Sequence, residues 1–175
     1  PGVESVGAAM KIPLRGGGDS FGLTVEGKDV RQQTSYFPIV TPAYFQTMGI
    51  RVHDGRTFDG SDRIFTDADT VNVEMSVVIN EALAQKYFPG ENPIGRRLGG
   101  GFGAPQRIIG VVANVAEAAL TDEPEAVRYF LAGQAPWFGP QATLVIRTAR
   151  PGDAGTLLES ARRTVQQMAP EFAVQ

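Results

Sequence analysis

The sequence has no cysteine and one histidine among its 175 residues. The first absence excludes disulfides, thiolate nucleophiles and cysteine-ligated zinc, although it leaves the redox compartment open. The second leaves His53 without another imidazole to complete a usual zinc shell. We therefore interpret His53 as a surface or strand-edge residue rather than as a general base or a metal ligand.

Clustered positive charge and long apolar runs are also missing. The chain carries 16 Lys and Arg against 19 Asp and Glu, and its formal charge is -3. Because binding to a phosphate backbone needs clustered Lys and Arg, we expect no nucleic-acid partner. No run reaches the roughly 18 apolar residues of a membrane span, and the amino terminus lacks a basic-then-apolar signal pattern.

What remains is an ordinary globular composition, with 42% hydrophobic and 20% charged residues. Such a chain folds, and its length fits one domain or two small interlocked ones. The start at Pro1-Gly2-Val3 and the apolar residues 172–175 are typical of the interior of a longer chain. We therefore expect a piece of a longer protein.

Strand patterns dominate the sequence, and no regular alternation of strands with helices indicates a doubly wound sheet. The predicted fold class is therefore α+β. Three helices are expected: one that Thr41 caps and Gly49 ends, one that Asn80 opens and Pro89-Gly90 ends, and one over residues 153–168. The predicted strands cover residues 3–12, 21–26, 34–40, 73–79, 108–115, 127–131 and 142–147.

One segment, Gly18-Asp19-Ser20-Phe21-Gly22, matches the G-x-S-x-G pattern of hydrolase nucleophiles. That pattern works on a strand-to-helix elbow, with an acid and a histidine following along the chain. Here an alternating strand follows Ser20, and the single histidine lies beside a turn. An esterase based on Ser20 is therefore only a distant alternative.

Acidic and glycine-rich segments offer two further binding sites, and both fail on spacing. Counted from Asp59, the fifth and twelfth positions of a calcium loop fall on Arg63 and Thr70, so we expect a solvated acidic loop containing Asp62. The segment 99–103 has no Gly-Lys-Ser/Thr after it and is predicted to be a hairpin or mobile loop.

Two pairs of neighbouring residues have the right chemistry to contact a partner. Arg96 and Arg97 suit anions, but neighbours on a strand point to opposite faces, so we interpret them as a solvated edge. Trp137 and Phe138 lie in a predicted loop between two prolines. They either mark a contact surface or cap the core, and the sequence favours neither.

Several segments, taken in order, resemble the periplasmic core domain of MacB-like, FtsX-family ABC-transporter permeases. The likeness is strongest to the second extracytoplasmic domain of the large duplicated permeases. The segments are 2–6 (GVESV), 12–14 (IPL), 16–18 (GGG), 40–50 (VTPAYFQTMGI), 54–58 (DGRTF), 77–81 (VVINE), 87–98 (YFPGENPIGRRL) and 109–115 (IGVVANV).

The resemblance implies two interlocked parts. A porter-like βαβ subdomain, incomplete here, would comprise residues 1–18 and 141–175. A β-rich inserted subdomain, called Sabre in this family, would comprise residues 19–140. In family members a strand and a helix precede the position of Pro1 and another strand follows that of Gln175. The resemblance therefore also implies an open sheet edge through which two copies can pair, and a porter-like unit that is either incomplete or swapped.

The resemblance further implies a non-catalytic domain on the periplasmic or extracytoplasmic face of the bacterial inner membrane, with no cofactor. It would transmit conformational change and dock partners during export. The implied partners are the rest of the permease with its transmembrane helices, an ATP-binding subunit acting indirectly, and a periplasmic adaptor or export cargo. The alternative is a cargo-binding or sensory domain of the same permease, with a formed pocket near residues 99–103 or Trp137.

Overall fold

The computed structural model describes residues 2–15, 19–62, 64–65, 73–100, 104–116, 123–135, 141–150, 152 and 154–170, with only the backbone at 30–32 and 156. Ten strands and three α-helices lie within these residues. The strands are β1 (Val3–Ala9), β2 (Ser20–Val25), β3 (Lys28–Tyr36), β4 (Ile39–Val40), β5 (Val52–Gly55), β6 (Met75–Asn80), β7 (Arg97–Gly99), β8 (Gln106–Val112), β9 (Arg128–Leu131) and β10 (Thr143–Thr148). The helices are α1 (Tyr44–Met48), α2 (Glu81–Tyr87) and α3 (Ala154–Met168), and a short 3-10 helix spans Ala132–Gln134.

All ten strands form one mixed sheet in the order β10-β1-β4-β9-β6-β8-β7-β2-β3, with β5 paired to β8. The pairs β4/β9 and β6/β8 are parallel, and the other pairs are antiparallel. The mixed sheet with few helices confirms the predicted α+β class. In the described part of the chain, no helix is long and apolar enough to cross a membrane.

Six neighbouring strands of the sheet close into a ring. The last residue of β3, Tyr36, forms a parallel bridge with Val127, and its amide donates to the Ala126 carbonyl at 2.9 Å. Strands β9, β6, β8, β7, β2 and β3 therefore make a closed strand ring. Strands β1 and β10, the outer pair, lie outside this ring and join it through β4.

Two apolar cores lie on opposite faces of the ring strands, because successive side chains of a strand alternate. Along β6, Val77 and Ile79 point into the ring, and Val78 points outward. The inner core also receives Leu83, Tyr87 and Phe88 from α2 and its end. The principal buried side chains of the outer core are Ala9, Val40, Tyr44, Phe45, Phe58, Val78, Val112, Val127, Tyr129 and Leu131.

The helix predicted after Asn80 begins where the sequence indicates. The Asn80 side-chain oxygen accepts from the Leu83 amide at 3.0 Å, as an N-cap does, and from the Val127 amide at 3.0 Å. Its side-chain amide donates to the Glu125 carbonyl at 2.7 Å. Asn80 therefore starts α2 and also ties the end of β6 to the chain entering β9.

The predicted start of α1 is wrong. Ala43 occupies the N-cap position without a side-chain hydrogen bond, and Thr41 lies outside the helix. Thr41 Oγ1 instead accepts from the Ala8 amide at 2.8 Å, so a neighbouring strand takes the oxygen that was predicted to cap the helix. The predicted end is confirmed, because Gly49 adopts the left-handed conformation at φ 72°.

Two strands have no counterpart in the predictions. Asp54-Gly55-Arg56 has the residue types of a turn, whereas Val52–Gly55 forms β5 on β8. All four β5 residues are exposed, so apolar alternation is absent. The short β7 contains Arg97 beside Arg107 of β8, and its single buried residue, Leu98, is too little pattern to mark a strand.

Candidate functional site

The junction between the strand ring and the outer pair is formed by α1 and the residues at its two ends. At the start of α1, the Ala8 amide of β1 donates to Thr41 Oγ1 at 2.8 Å, and the Thr41 amide donates to the Ala8 carbonyl at 2.9 Å. Gly7 allows the helix to come this close. A Cβ on Gly7 would lie 2.8 Å from the Tyr44 Cα.

At its other end α1 is held by an arginine of β10. The Arg147 Nε donates to the Thr47 carbonyl at 2.9 Å. The guanidinium lies over Gly49, where an added Cβ would be 2.7 Å from Nη2. The cation therefore satisfies a carbonyl in the last turn of the helix, where positive charge is favoured. β1 and β10 thus hold the two ends of α1.

The side chains of α1 point the other way, against the outside of the strand ring. Phe45 packs edge-on to Tyr129 of β9, with their aromatic centroids 5.0 Å apart, and is tilted against Phe58 at 6.1 Å. Tyr44 lies 6.4 Å from Tyr129. Both α1 aromatics are almost fully buried, so this contact is part of the outer core.

Inside the strand ring lies an arginine that the sequence analysis did not single out. Arg128 of β9 is fully buried, and its guanidinium reaches across the ring. Nη2 donates to the Gly22 carbonyl of β2 at 2.7 Å. Nη1 donates to Gln106 Oε1 at 2.8 Å and to the Gly99 and Gly100 carbonyls at 2.9 and 3.2 Å.

These acceptors are neutral, which determines the electrostatics of the ring interior. Burial lowers the pKa of Arg128 to about 10, because its charged form has lost its hydration. Its Nε has no hydrogen-bond partner among the described residues. At neutral pH Arg128 remains a cation whose charge is stabilised by carbonyl dipoles, and the residue cross-links β9 to β2, β7 and β8.

The glycines beside Arg128 do not form a phosphate-binding loop in the residues that the structure describes. Gly99 ends β7, and both Gly99 and Gly100 present carbonyls to a protein cation, whereas a phosphate cradle presents amides. Gly100 has φ 87°, and an added Cβ would clash with the Gly22 carbonyl oxygen. Residues 101–103 lie outside the described residues. The signal for Arg128 was a single arginine within an otherwise apolar predicted strand.

The prediction of a solvated Asp62 is wrong. Its side chain is 1% exposed and forms a paired contact with Arg56, at 2.7 and 2.9 Å. The Asp59 amide also donates to it at 2.9 Å. Burial raises the pKa of Asp62, but the bonds from Arg56 and from the Asp59 amide outweigh burial, and the pKa falls below its ordinary value. Asp67 and Asp69 lie outside the described residues.

The predicted arginine edge is partly exposed and carries ion pairs. Glu74 accepts from Arg97 Nε at 2.7 Å and from Arg107 Nε at 2.6 Å. Burial raises the pKa of Glu74, but the hydrogen bonds and charges of the two arginines lower it by more. The pKa of Glu74 therefore lies below its ordinary value. Arg96 contacts Glu91 at 3.6 Å. These surface pairs add little stability.

The remaining candidates do not assemble into a reactive site. Ser20 begins β2 and pairs with Tyr36 in an antiparallel hairpin, rather than standing at a strand-to-helix elbow. His53 lies on exposed β5, with Nε2 3.3 Å from Glu81 Oε1. No cluster of three metal-ligating side chains occurs among the described residues. Trp137 and Phe138 lie outside the described residues, and their role stays a prediction.

The domain is of the α+β class, and it consists of a closed strand ring that a short strand and a helix join to an outer antiparallel pair. Its described residues form no catalytic centre. The chain belongs to the family of MacB-like periplasmic core domains, whose model matches residues 1–165. It is an extracytoplasmic domain of an ABC-transporter permease of that family. No curated protein sequence matches it.

Solved structures share this fold, among them the following three. The periplasmic region of MacB from Actinobacillus actinomycetemcomitans is 18% identical, with a TM-score of 0.63 over 95% of this chain and 68% of that one. The extracellular domain of the noncanonic ABC-type transporter YknZ from Gram-positive bacteria is 19% identical, with a TM-score of 0.63 over 95% and 76%. A domain of a putative permease protein from Porphyromonas gingivalis is 18% identical, with a TM-score of 0.56 over 96% and 71%.

Proposed function

We propose that this domain transmits conformational change between the membrane part of its permease and extracytoplasmic partners during export, and that it catalyses no reaction. Family membership supports the setting. The observation that carries the proposal is the junction, where a two-residue strand and one helix connect the strand ring to the outer pair. A domain built this way can move as two bodies with a defined connection.

In this proposal the outer pair belongs to a porter-like subdomain of residues 1–18 and 141–175, and the strand ring to an inserted subdomain of residues 19–140. The porter-like part receives the movement of the transmembrane helices, which follows ATP-driven closure of the nucleotide-binding subunit. The inserted part, with Trp137 and Phe138, docks a periplasmic adaptor or cargo. In the described residues β10 pairs with β1, and in this proposal its second edge pairs with another copy.

The experiment separates ATP hydrolysis from export in the complete permease. Thr41→Val removes the acceptor of the Ala8 amide at the junction and keeps the side-chain volume. We expect export to fall while ATP hydrolysis persists, because the motor still runs and its movement no longer reaches the partner. Thr24→Val, on a ring strand away from the junction, is the control, and both variants are compared at equal membrane abundance.

Unchanged export in Thr41→Val would contradict transmission through this junction. Loss of ATP hydrolysis in parallel with export, at equal membrane abundance, would do so too, because the substitution would then stop the motor instead of disconnecting it from the partner. The isolated chain is then titrated with cargo by calorimetry. Saturable binding that Trp137→Ala and Phe138→Ala abolish would replace the transmission proposal with the cargo-binding or sensory alternative.

A further inference from the structure

We propose that α1 is the coupling element between the outer pair and the strand ring, with Arg147 as the residue that holds it to β10; this inference rests on the proposed function. The helix is only five residues long, yet it contacts both parts of the molecule in two chemically different ways. Its backbone is bonded to the outer pair, and its side chains are packed on the ring.

The direct strand connection between the two parts is narrow. β1 and β4 share one register pair, Ala9 with Val40, and the adjacent backbone bonds run from Met10 to Ile39 and from Thr41 to Ala8. A connection this short resists separation, but it fixes the relative orientation of two bodies poorly. An additional contact away from the strand axis is needed to pass on a rotation or a tilt.

α1 supplies that contact because its last turn and the residue that bonds its first turn are both fixed to the outer pair. The Thr41 carbonyl accepts from the Tyr44 amide at 3.0 Å, which ties Thr41 to the start of α1. Thr41 bonds Ala8 on β1 at one end, and Arg147 of β10 bonds the Thr47 carbonyl at the other, at 2.9 Å. Because Gly7 has no side chain, the helix backbone lies directly against β1, and even a methyl group at this position would clash with Tyr44. A shift of β10 relative to the ring therefore carries α1 with it.

The opposite side of α1 transmits the shift inward. Phe45 and Tyr44 are packed on Tyr129, whose strand β9 is in the wall of the strand ring. Interiors are close-packed and do not compress, so displaced aromatic side chains must move their neighbours. The Arg128 guanidinium, also on β9, donates hydrogen bonds to β2, β7 and β8. The contacts thus form a continuous path from β10 to the far wall of the ring.

The test uses the isotopically labelled 175-residue chain and its amide NMR signals. Arg147→Gln removes the cation and shortens the side chain. We expect it to shift the signals of α1 and also those of Tyr129 and Val112 in the ring. Arg150→Gln, an exposed arginine just after β10, is the charge-matched control and should leave the ring signals unchanged. Arg147→Lys should restore part of the shift, because Nζ also donates to a carbonyl.

The inference is overturned if Arg147→Gln moves only β1, β10 and α1 signals, or if the lysine variant differs from wild type as much as the glutamine variant. If Arg147→Gln does not fold, Thr41→Val perturbs the other end of α1 and must shift the same ring signals. Since no membrane, ATPase or cargo is involved, the result is independent of export. Coupling seen by NMR together with unchanged export of the Thr41→Val permease would refute the proposed function alone.

Discussion

The strand ring and the outer pair are built from similar residues, yet they bury them to very different degrees. All four residues of β9 and five of six in β6 are buried. No residue of β10 is fully buried, and in β1 only Gly7 and Ala9 are. The large side chains Val6 and Leu144 are 46% and 48% exposed. The ring strand β2 has only Leu23 and Val25 buried, so the core of the ring is concentrated in strands such as β6 and β9.

The difference has a geometric cause. Strands of a closed ring have apolar side chains on the inside that no water reaches, and α2 and the outer core cover other surfaces of the ring. α1 lies on the outer pair where Gly7 is. We therefore expect the ring to supply most of the stability of the domain and the outer pair to be the weaker region.

The largest expected effect comes from the same truncation made in both regions. Ile108→Ala in β8 should lower the free energy of unfolding by about 4 kcal/mol, because it leaves a cavity in a fully buried site. Ile146→Ala in half-buried β10 should cost about 1 kcal/mol. Urea unfolding of both variants measures the comparison directly. Equal losses would show that burial in the two regions has the same energetic weight and would break the comparison.

The next effect concerns the cation inside the ring. Arg128→Met should cost about 3 kcal/mol, because the Gly22, Gly99 and Gly100 carbonyls and the buried Gln106 side chain lose their donor. Arg97→Met at the exposed Glu74 pair should have a much smaller effect. A more stable Arg128→Met would mean that desolvation of the charge outweighs its hydrogen bonds.

The smallest of the three effects depends on pH. Asp62→Asn keeps the shape of the side chain and should cost about 2 kcal/mol at pH 7, because a carboxylate held by Arg56 is replaced by a neutral amide. The pKa of Asp62 is lower in the folded chain than its ordinary value of 3.8. As the pH falls below 3.8 the unfolded chain takes up the proton first, so this stabilisation is lost as the pH passes through the folded pKa.

The difference between wild type and Asp62→Asn should therefore be constant from pH 7 to about 5 and shrink below pH 3.8. Unfolding by urea across this range provides the measurement. Asp59→Asn, at the exposed neighbour in the same turn, is the matched control with a smaller loss. A difference that persists at low pH would show that Asp62 acts through packing and not through its charge.

The sequence predicted those features that depend on neighbours along the chain. Asn80 as a helix N-cap and Gly49 as a helix end follow from local backbone chemistry, and the structure confirms both. The family and the α+β class were also predictable, because several ordered segments resemble one family. The order of the strands and the closure through Tyr36 and Val127 depend on contacts distant in sequence, which a local pattern does not contain.

The errors at Thr41 and Arg128 have the same origin, whereas the error at Asp62 concerns a partner only six residues away. Thr41 is a residue type that commonly caps helices, but its side-chain oxygen accepts from the amide of Ala8, 33 residues away. Asp62 was assigned to solvent because its loop is polar, yet Arg56 pairs with it in a turn. Arg128 reaches a carbonyl 106 residues away, and only the assembled ring brings those atoms together. Side chains whose partners are fixed by the fold were thus the ones that sequence analysis missed.

Native-state hydrogen exchange of the 175-residue chain tests most directly whether the ring and the outer pair are separate bodies, which transmission requires. The account predicts that the amides of β6, β8 and β9 exchange last, through global unfolding. Those of β1 and β10 should exchange earlier, through an opening that leaves the ring intact. Identical exchange free energies in the two regions would contradict it, because the domain would then open as a single unit with no internal junction.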